Sequence, residues 1–144
     1  MAATIQVSFD CADPGALSVF WNEVLGYRLD SPPPPHETWD EALDAWNIPQ
    51  ENRNDASASV DPDGVGPRLW FQKVPEGKTA KNRVHLDVRS ATDLRGDERM
   101  AALEKRCAEL IALGASRLWR IEPDHINLGH ITMQDPEGNE FCLD

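Results

Sequence analysis

The stretch Val84-His85-Leu86-Asp87 has a counterpart near the start of the chain, Val7-Ser8-Phe9-Asp10. Apolar and polar residues alternate in both stretches, which is typical of a β-strand with one buried face. Each stretch is followed by an amphipathic helical pattern that stops at a Leu-Gly pair, Leu25-Gly26 or Leu113-Gly114. Glycine readily adopts the left-handed conformation that ends a helix. The two stretches therefore predict the start of a repeated unit.

Three further features follow each helix in the same order: a short strand, an Asp-Pro-acid-Gly turn and a final strand. The first copy has Tyr27-Arg28-Leu29, Asp61-Pro62-Asp63-Gly64 and Leu69-Trp70-Phe71-Gln72, and the second has Ser116-Arg117-Leu118-Trp119, Asp135-Pro136-Glu137-Gly138 and Glu140-Phe141-Cys142-Leu143. In such turns proline presets one backbone dihedral and glycine supplies a positive one. The order predicts an α+β fold built from two strand–helix–three-strand units.

The chain of 144 residues has the length of about one domain, which we place at 1–144. We assign residues 1–74 to the first module, 75–83 to a linker and 84–144 to the second module. Thr38-Trp39-Asp40-Glu41 has the form of a capping box and predicts an inserted helix near 38–47. The basic residues of the linker region either hold an anion at a pocket mouth or balance the acidic insertion; they are Lys73, Lys78, Lys81 and Arg83.

Residues at the start of each helical pattern predict where the helix begins. Asp13 is a good N-cap, and Pro14 fits the first helical position. In the second copy we expect Asp97 to cap the helix, or the helix to begin nearer Thr92. The buried stripe of this second helix is expected to contain Met100, Leu103, Cys107, Leu110 and Ile111.

The charge balance restricts the partners. Fourteen basic residues oppose 25 acidic ones, which gives a net charge of −11. This excess argues against binding to nucleic acid or to an anionic membrane surface, since both need clustered Lys and Arg. The sequence opens without a secretion leader and has 3 cysteines without close spacing, so we expect a cytoplasmic protein with reduced thiols.

Alternation along the strands gathers polar residues on one face of the sheet. This face is either exposed to solvent or curved around a polar cavity, and its His, Cys, Trp and Gln side chains favour a cavity. The candidate pocket residues are Ser8, Trp70, Asp87, His130, Thr132 and Glu140. Aromatic and polar side chains together are typical of sites for small molecules.

Several motifs carry a resemblance to a known family. They are Phe9-Asp10-Cys11-Ala12-Asp13-Pro14, Phe20-Trp21, Leu25-Gly26-Tyr27, Phe71-Gln72-Lys73-Val74-Pro75-Glu76, Lys81-Asn82-Arg83-Val84-His85-Leu86-Asp87, Leu113-Gly114-Ala115 and Asp135-Pro136-Glu137-Gly138-Asn139-Glu140-Phe141-Cys142. Together they resemble the glyoxalase-like branch of the vicinal oxygen chelate superfamily, most weakly from Asp30 to Ser57. That superfamily contains glyoxalase I, extradiol dioxygenases, fosfomycin-inactivating enzymes and bleomycin resistance proteins. The resemblance implies two βαβββ modules that form a cup-shaped mixed sheet, and a homodimer.

The resemblance also implies a divalent metal, held by residues of the first and last strands of each module. Carried over by position, the ligands are Gln6, Gln72 (or Trp70), His85 and Cys142, with Glu140 as the nearest acidic neighbour. Two positions depart from the family pattern, because glutamine (or tryptophan) and cysteine stand where glutamate is usual. A glutamine amide is a weak ligand for a hard cation, whereas cysteine suits zinc or another softer ion.

His85 is the candidate catalytic residue, as a metal ligand or as a general base. Alternatively, its imidazole is simply hydrogen-bonded by Asp87 or by a backbone group. The sequence thus leaves three hypotheses open. The chain is a metal-dependent lyase, isomerase or dioxygenase, or a metal-free small-molecule binding protein similar to bleomycin resistance proteins, or a metal-free acid–base enzyme. Its site forms within one chain or across a swapped dimer.

Overall fold

Both halves of the chain build the same arrangement of strands around a helix. The computed structural model describes residues 1–144, which divide into two compact units, Met1–Gly77 and Lys78–Asp144. The first unit contains β1 (Gln6–Cys11), α1 (Pro14–Leu25), β2 (Arg28–Leu29), α2 (Trp39–Ala45), a 3-10 turn (Gln50–Asn52), β3 (Ala56–Val60) and β4 (Arg68–Lys73). The second unit contains β5 (Leu86–Val88), α3 (Gly96–Ala112), β6 (Ser116–Ile121), β7 (His130–Gln134) and β8 (Glu140–Leu143).

The sheet topology confirms the α+β fold and the repeat. The strand order is β1-β4-β3-β2 in the first unit and β5-β8-β7-β6 in the second. In each, the first and last strands pair in parallel and the other neighbours pair antiparallel. Each unit is therefore a βαβββ module with a mixed four-stranded sheet.

The first helix begins and ends as expected. The Asp13 carboxylate accepts a hydrogen bond from the Ala16 N–H at 3.1 Å, and Pro14 occupies the first turn. Gly26 follows the helix with φ 69°, in the left-handed region. The buried Trp21 ring packs 5.1 Å from the ring of Phe9, so α1 covers one face of the first sheet. The predicted capping box of α2 is also present, between Thr38 and Glu41.

The expected start of α3 is wrong. Arg95 occupies the N-cap position without a side-chain cap, and Asp97 lies in the first turn, where a carboxylate favours the helix dipole. Ile111 is 46% exposed rather than buried. The other four expected residues of the stripe are buried, and Arg99 completes the buried face in place of Ile111.

Two strands are shorter than the sequence pattern indicates. Ile5 and Val84 are exposed and lie outside β1 and β5. Continuing the parallel register would place Ile5 opposite Pro67, which has no N–H to donate. Val84 would lie opposite Asn139, in the turn before β8. Pairing therefore ends opposite a proline in the first sheet and opposite the turn before β8 in the second.

No α-helix reaches the length and apolar character that a membrane span requires.

Candidate functional site

One row of side chains crosses the second sheet on the face opposite α3. Asp87 lies opposite Cys142, Cys142 opposite Thr132, and Thr132 opposite Trp119, so the row runs through β5, β8, β7 and β6. Residues opposite each other in a sheet share a face. The two ends of the row are open, since the side chain of Asp87 is 55% exposed and Trp119 is 47% exposed. Its centre is buried at Cys142 and Thr132. We call these four residues the cross-strand row.

His85 joins the row at its acidic end. Its Nε2 lies 3.2 Å from Asp87 Oδ1. The ligating atoms of His85, Asp87 and Cys142 all lie within 4.8 Å of one another. The structure thus brings together four residues that the sequence predicted in separate roles, two as metal ligands (His85, Cys142) and two as pocket residues (Asp87, Thr132).

Cys142 has the properties of a neutral thiol. Burial raises its pKa above the usual range, and the nearby Asp87 carboxylate raises it further. The Thr132 hydroxyl, 3.6 Å from Cys142 Sγ, offsets only part of this shift. A thiol without a lowered pKa is a poor nucleophile, so Cys142 lacks the activation of a catalytic cysteine.

His130 occupies the adjacent row. It lies opposite Ile121 and two residues from Thr132, so both side chains share the open face. His130 is half-buried, whereas Ile121 is exposed. Beside Trp119, this pair gives the β6 side of the face an apolar and aromatic character.

Glu140 is held by the segment that precedes β5. Lys78 Nζ lies 3.0 Å from one carboxylate oxygen, and the Asn82 N–H donates to the same oxygen at 3.0 Å. Burial alone would raise the pKa of Glu140, but these two hydrogen bonds outweigh it and lower the pKa to about 2. The predicted pocket residue therefore anchors the Lys78–Asn82 segment to β8. Because Lys78 is paired with Glu140, it is poorly placed to bind an anion at a pocket mouth.

The pKa of Glu140 makes the stability of the chain pH-dependent. The folded-state pKa is about 2, below the ordinary value of 4.5 for a glutamate, so its contribution is full above pH 4.5 and is lost as the pH falls towards 2. We expect Glu140→Gln to remove about 2 kcal/mol of this acid-labile stability, measured by urea unfolding between pH 6 and about 2.5. Glu76→Gln, at an exposed residue, is the control. An unchanged pH profile in Glu140→Gln would contradict the assignment.

In the first unit, the predicted metal ligands are engaged by other side chains. Gln6 Oε1 accepts a hydrogen bond from Arg68 Nη1 at 2.8 Å. Gln72 Oε1 accepts one from the Trp70 indole at 3.3 Å, while its amide nitrogen donates to Asp10 at 2.7 Å.

The surroundings of Gln6 decide whether the metal ion that the resemblance implies could bind in the first unit. The Arg68 guanidinium also lies 5.4 Å from the centre of the Trp70 ring and pairs with Asp30 at 2.8 Å. A metal ion that replaced this hydrogen bond at Gln6 Oε1 would lie beside the guanidinium, so the two positive charges would repel each other. The first-unit donors therefore do not fit the chelate that the resemblance implies.

Ser8 is exposed and lies opposite Trp70.

Sequence reasoning missed Trp119. The pairing of β6 with β7 shifts between Arg117 and Trp119, which is a β-bulge. Without the bulge these two residues would share a face. Instead, Arg117 reaches Glu104 of α3 at 2.8 Å on the helix side, and Trp119 lies on the open face. Strict alternation, the only signal in the sequence, cannot place this tryptophan.

The comparisons with known proteins agree with this architecture. The model of a family described as a glyoxalase-like domain matches residues 6–143. A glyoxalase/bleomycin resistance protein/dioxygenase family enzyme from Burkholderia phytofirmans is 16% identical, with a TM-score of 0.60 over 96% of this chain and 94% of that one. A mutant fosfomycin resistance protein, FosX from Listeria monocytogenes, complexed with Mn(II) and dihydroxypropylphosphonic acid, is 8% identical, with a TM-score of 0.63 over 99% of this chain and 89% of that one. TioX from Micromonospora is 15% identical, with a TM-score of 0.52 over 99% and 97%. No curated protein matches the sequence.

Proposed function

The chain belongs to the glyoxalase-like domain family, and from this premise we propose that it binds a small organic molecule without the four-residue metal chelate. The observation that carries the proposal is the cross-strand row. It presents a carboxylate at one open end and an indole at the other, on a sheet face that α3 leaves free. Sites for small molecules combine apolar walls with a few polar groups in this manner.

The row indicates the class of ligand. Neighbouring strands lie about 4.8 Å apart, so the row spans about 14 Å from Asp87 to Trp119. A flat molecule of this length would stack on Trp119 and direct a cationic or hydrogen-bond-donating group at Asp87. The net charge of −11 attracts cations over a longer range. The ligand class is therefore a cationic aromatic compound.

The contacts of Gln6 and Gln72 support a site that works without the chelate. Both amide oxygens accept hydrogen bonds from the protein, and a guanidinium holds the first of them. A bound metal would have to break these contacts and displace Arg68. The proposal thus corresponds to the metal-free binding mode of the bleomycin resistance branch.

A metal-dependent lyase, isomerase or dioxygenase is the second candidate. Its support is that His85 and Cys142, two of the four implied ligands, lie close together. In such an enzyme the ion would polarise an oxygen of the substrate. Melting with added Mn(II) separates the two candidates. Stabilisation that is lost in Gln72→Ala favours the enzyme, and no Mn(II)-dependent shift favours the binding protein.

The ligand class is tested with a cationic aromatic probe. We expect ethidium to bind in the presence of EDTA, and Trp119→Ala to weaken it at least about fivefold, about 1 kcal/mol, because the stacking surface is lost. Isothermal titration calorimetry measures the change. Trp46→Ala is the matched control, since Trp46 is 46% exposed but belongs to the first unit.

Two outcomes would contradict this ligand class. One is equal weakening by Trp46→Ala and Trp119→Ala, which would place the stacking elsewhere or make it non-specific. The other is tighter binding of the anionic aromatic probe anilinonaphthalene sulfonate than of ethidium, which would remove the role of Asp87.

A homodimer and a cytoplasmic location remain proposals that rest on the family resemblance and the composition. Sedimentation equilibrium would give twice the chain mass of 16.1 kDa if the dimer forms. The proposed boundaries at 1–74, 75–83 and 84–144 can be compared with limited proteolysis, in which cleavage is expected within the linker.

A further inference from the structure

Two buried polar atoms in the first unit have no hydrogen-bond partner. They are Oδ1 of Asn22, on α1, and Oγ of Ser59, on β3, and Ser59 is 0% exposed. A buried polar group without a partner costs free energy, so almost all such groups in folded proteins bond to other protein groups or to ordered water. We propose that these two atoms hold a buried water molecule between α1 and β3.

Helix α1 and the chain that leads into β3 run side by side in the same direction. The Gly15 N–H donates to Asn54 Oδ1 at 2.8 Å, and three residues further along both segments the Ser57 hydroxyl donates to Ser18 Oγ at 2.9 Å. Ser18 is buried, and its own hydroxyl donates to the Gly15 carbonyl at 2.9 Å. These bonds form a polar seam between the helix and the strand.

The next step along this seam brings Asn22 next to Ser59. Asn22 follows Ser18 by four residues, about 6.0 Å of helix, and Ser59 follows Ser57 by two residues, about 6.6 Å of strand. Residues at these spacings keep the same face of a helix and of a strand. Asn22 Oδ1 and Ser59 Oγ therefore point into the same part of the seam, where they do not bond to each other.

The chemistry of the two side chains selects a water molecule. An amide oxygen only accepts hydrogen bonds, whereas a serine hydroxyl both donates and accepts. The ligand must therefore donate to Asn22 and either donate to Ser59 or accept from it. Water does both, and a buried water molecule needs only two to four polar partners. An anion would be repelled by the amide oxygen, so it does not fit the same place.

The water joins the second half of α1 to the sheet. The bond between Ser18 and Ser57 holds the middle of the helix. Asn22 lies one turn later, and its carbonyl accepts the Tyr27 N–H at 3.0 Å in the turn that ends the helix. A bridge from Asn22 to Ser59 thus continues the seam up to the C-terminal end of α1.

Magnetic relaxation dispersion of the water oxygen counts long-lived internal water molecules and tests the site on the full chain. We expect one such molecule fewer in Ser59→Ala than in the wild type, because one of its two anchors is removed. Ser57→Ala is the matched control, since the Ser57 hydroxyl bonds directly to Ser18, and it is expected to keep the water. An unchanged count in Ser59→Ala, or an equal loss in both variants, would overturn the proposal.

Thermal unfolding provides an independent test through the sign of the change. We expect Ser59→Ala to lower Tm by at least about 2 °C, because Asn22 loses its bridge. If the hydroxyl had no partner at all, alanine would instead raise Tm by removing a buried polar group. Asn22→Leu removes the other anchor, and the double variant is expected to lose less than the sum of the single losses.

Three results of these experiments would contradict the water site. They are a raised Tm in Ser59→Ala, additive losses in the double variant, and non-additive losses without the disappearance of a long-lived water. The last result would mean that the Asn22 amide and the Ser59 hydroxyl bond directly in solution. The seam lies in the first unit, so any of these results leaves the proposed ligand site of the second unit standing.

Discussion

Replacement of Arg99 by methionine is expected to lower the free energy of unfolding by about 3–5 kcal/mol, since it breaks a buried ion pair on one side only. Arg99 is 1% exposed. Its guanidinium donates to the carbonyl of Ala91 at 2.7 Å and to that of Gly129 at 3.0 Å, and it pairs with the Asp144 carboxylate. Methionine matches the apolar part of the side chain but leaves these acceptors without a donor.

The position of Arg99 explains the size of the effect. It links α3 to the segment between β5 and α3, to the loop before β7 and to the residue that follows β8, so a single side chain joins four segments of the second unit. Urea unfolding measures the loss.

Arg89→Met is the matched control for this experiment. Arg89 pairs with the same Asp144 carboxylate at 2.7 Å, but its side chain is 63% exposed. Exposed ion pairs contribute at most about 1 kcal/mol, so this control is expected to unfold nearly as the wild type does. Equal losses in the two variants would show that the burial of Arg99 does not matter.

Gly129→Ala is expected to lower the free energy of unfolding by about 2–4 kcal/mol, through backbone strain and overpacking. Gly129 has φ +89°, which side-chain-bearing residues rarely adopt. A Cβ there would approach the sulfur of Met100 to 2.6 Å and the ring of Pro123 to 3.1 Å. Met100 is buried and the proline ring is rigid, so neither can move away easily.

Gly77→Ala serves as the control for the second variant. Gly77 has no positive φ, and no atom lies within 4 Å of an added Cβ. Alanine at such a site is neutral or slightly stabilising, because it restricts the unfolded chain. Thermal or urea unfolding of the two variants should therefore differ by more than about 2 kcal/mol. A Gly129→Ala protein as stable as Gly77→Ala would contradict the strained conformation.

The two destabilising variants are coupled. The Gly129 carbonyl accepts hydrogen bonds from Arg99, so any displacement of the backbone at residue 129 also disturbs the guanidinium. Neighbouring residues that share a network do not contribute additively. The double variant is accordingly expected to lose less stability than the sum of the two single losses.

The candidate site lies on the face of the second sheet that α3 does not cover. Arg117 and Arg120 of β6 both reach Glu104 of α3, at 2.8 and 3.1 Å. These contacts belong to the face that α3 covers, while the cross-strand row lies on the other face. The division of the sheet into a packed face and an open face leaves the two ends of the row, Asp87 and Trp119, accessible to a ligand.

The repeat, the helix-stopping glycines and most of the apolar faces could be predicted from the amino-acid sequence alone. These features depend on local physics, namely the alternation of a strand, the periodicity of a helix, the cap at Asp13 and the left-handed turn at Gly26. The sequence also indicated His85, Asp87, Thr132 and Cys142 as polar residues of one face. Such signals span a few residues, so they can be recognised before the chain is folded.

Which of those residues come into contact, and which already bind other side chains, depends on the folded chain. Arginine is rarely buried, so no local pattern predicts that Arg99 collects carbonyl groups from distant loops. The bulge in β6 places Trp119 on the open face, and Arg68 occupies the oxygen of Gln6. Each of these outcomes depends on the pairing of strands far apart in the chain. Long-range pairing fixes register and contact, and residue types within a short window do not contain that information.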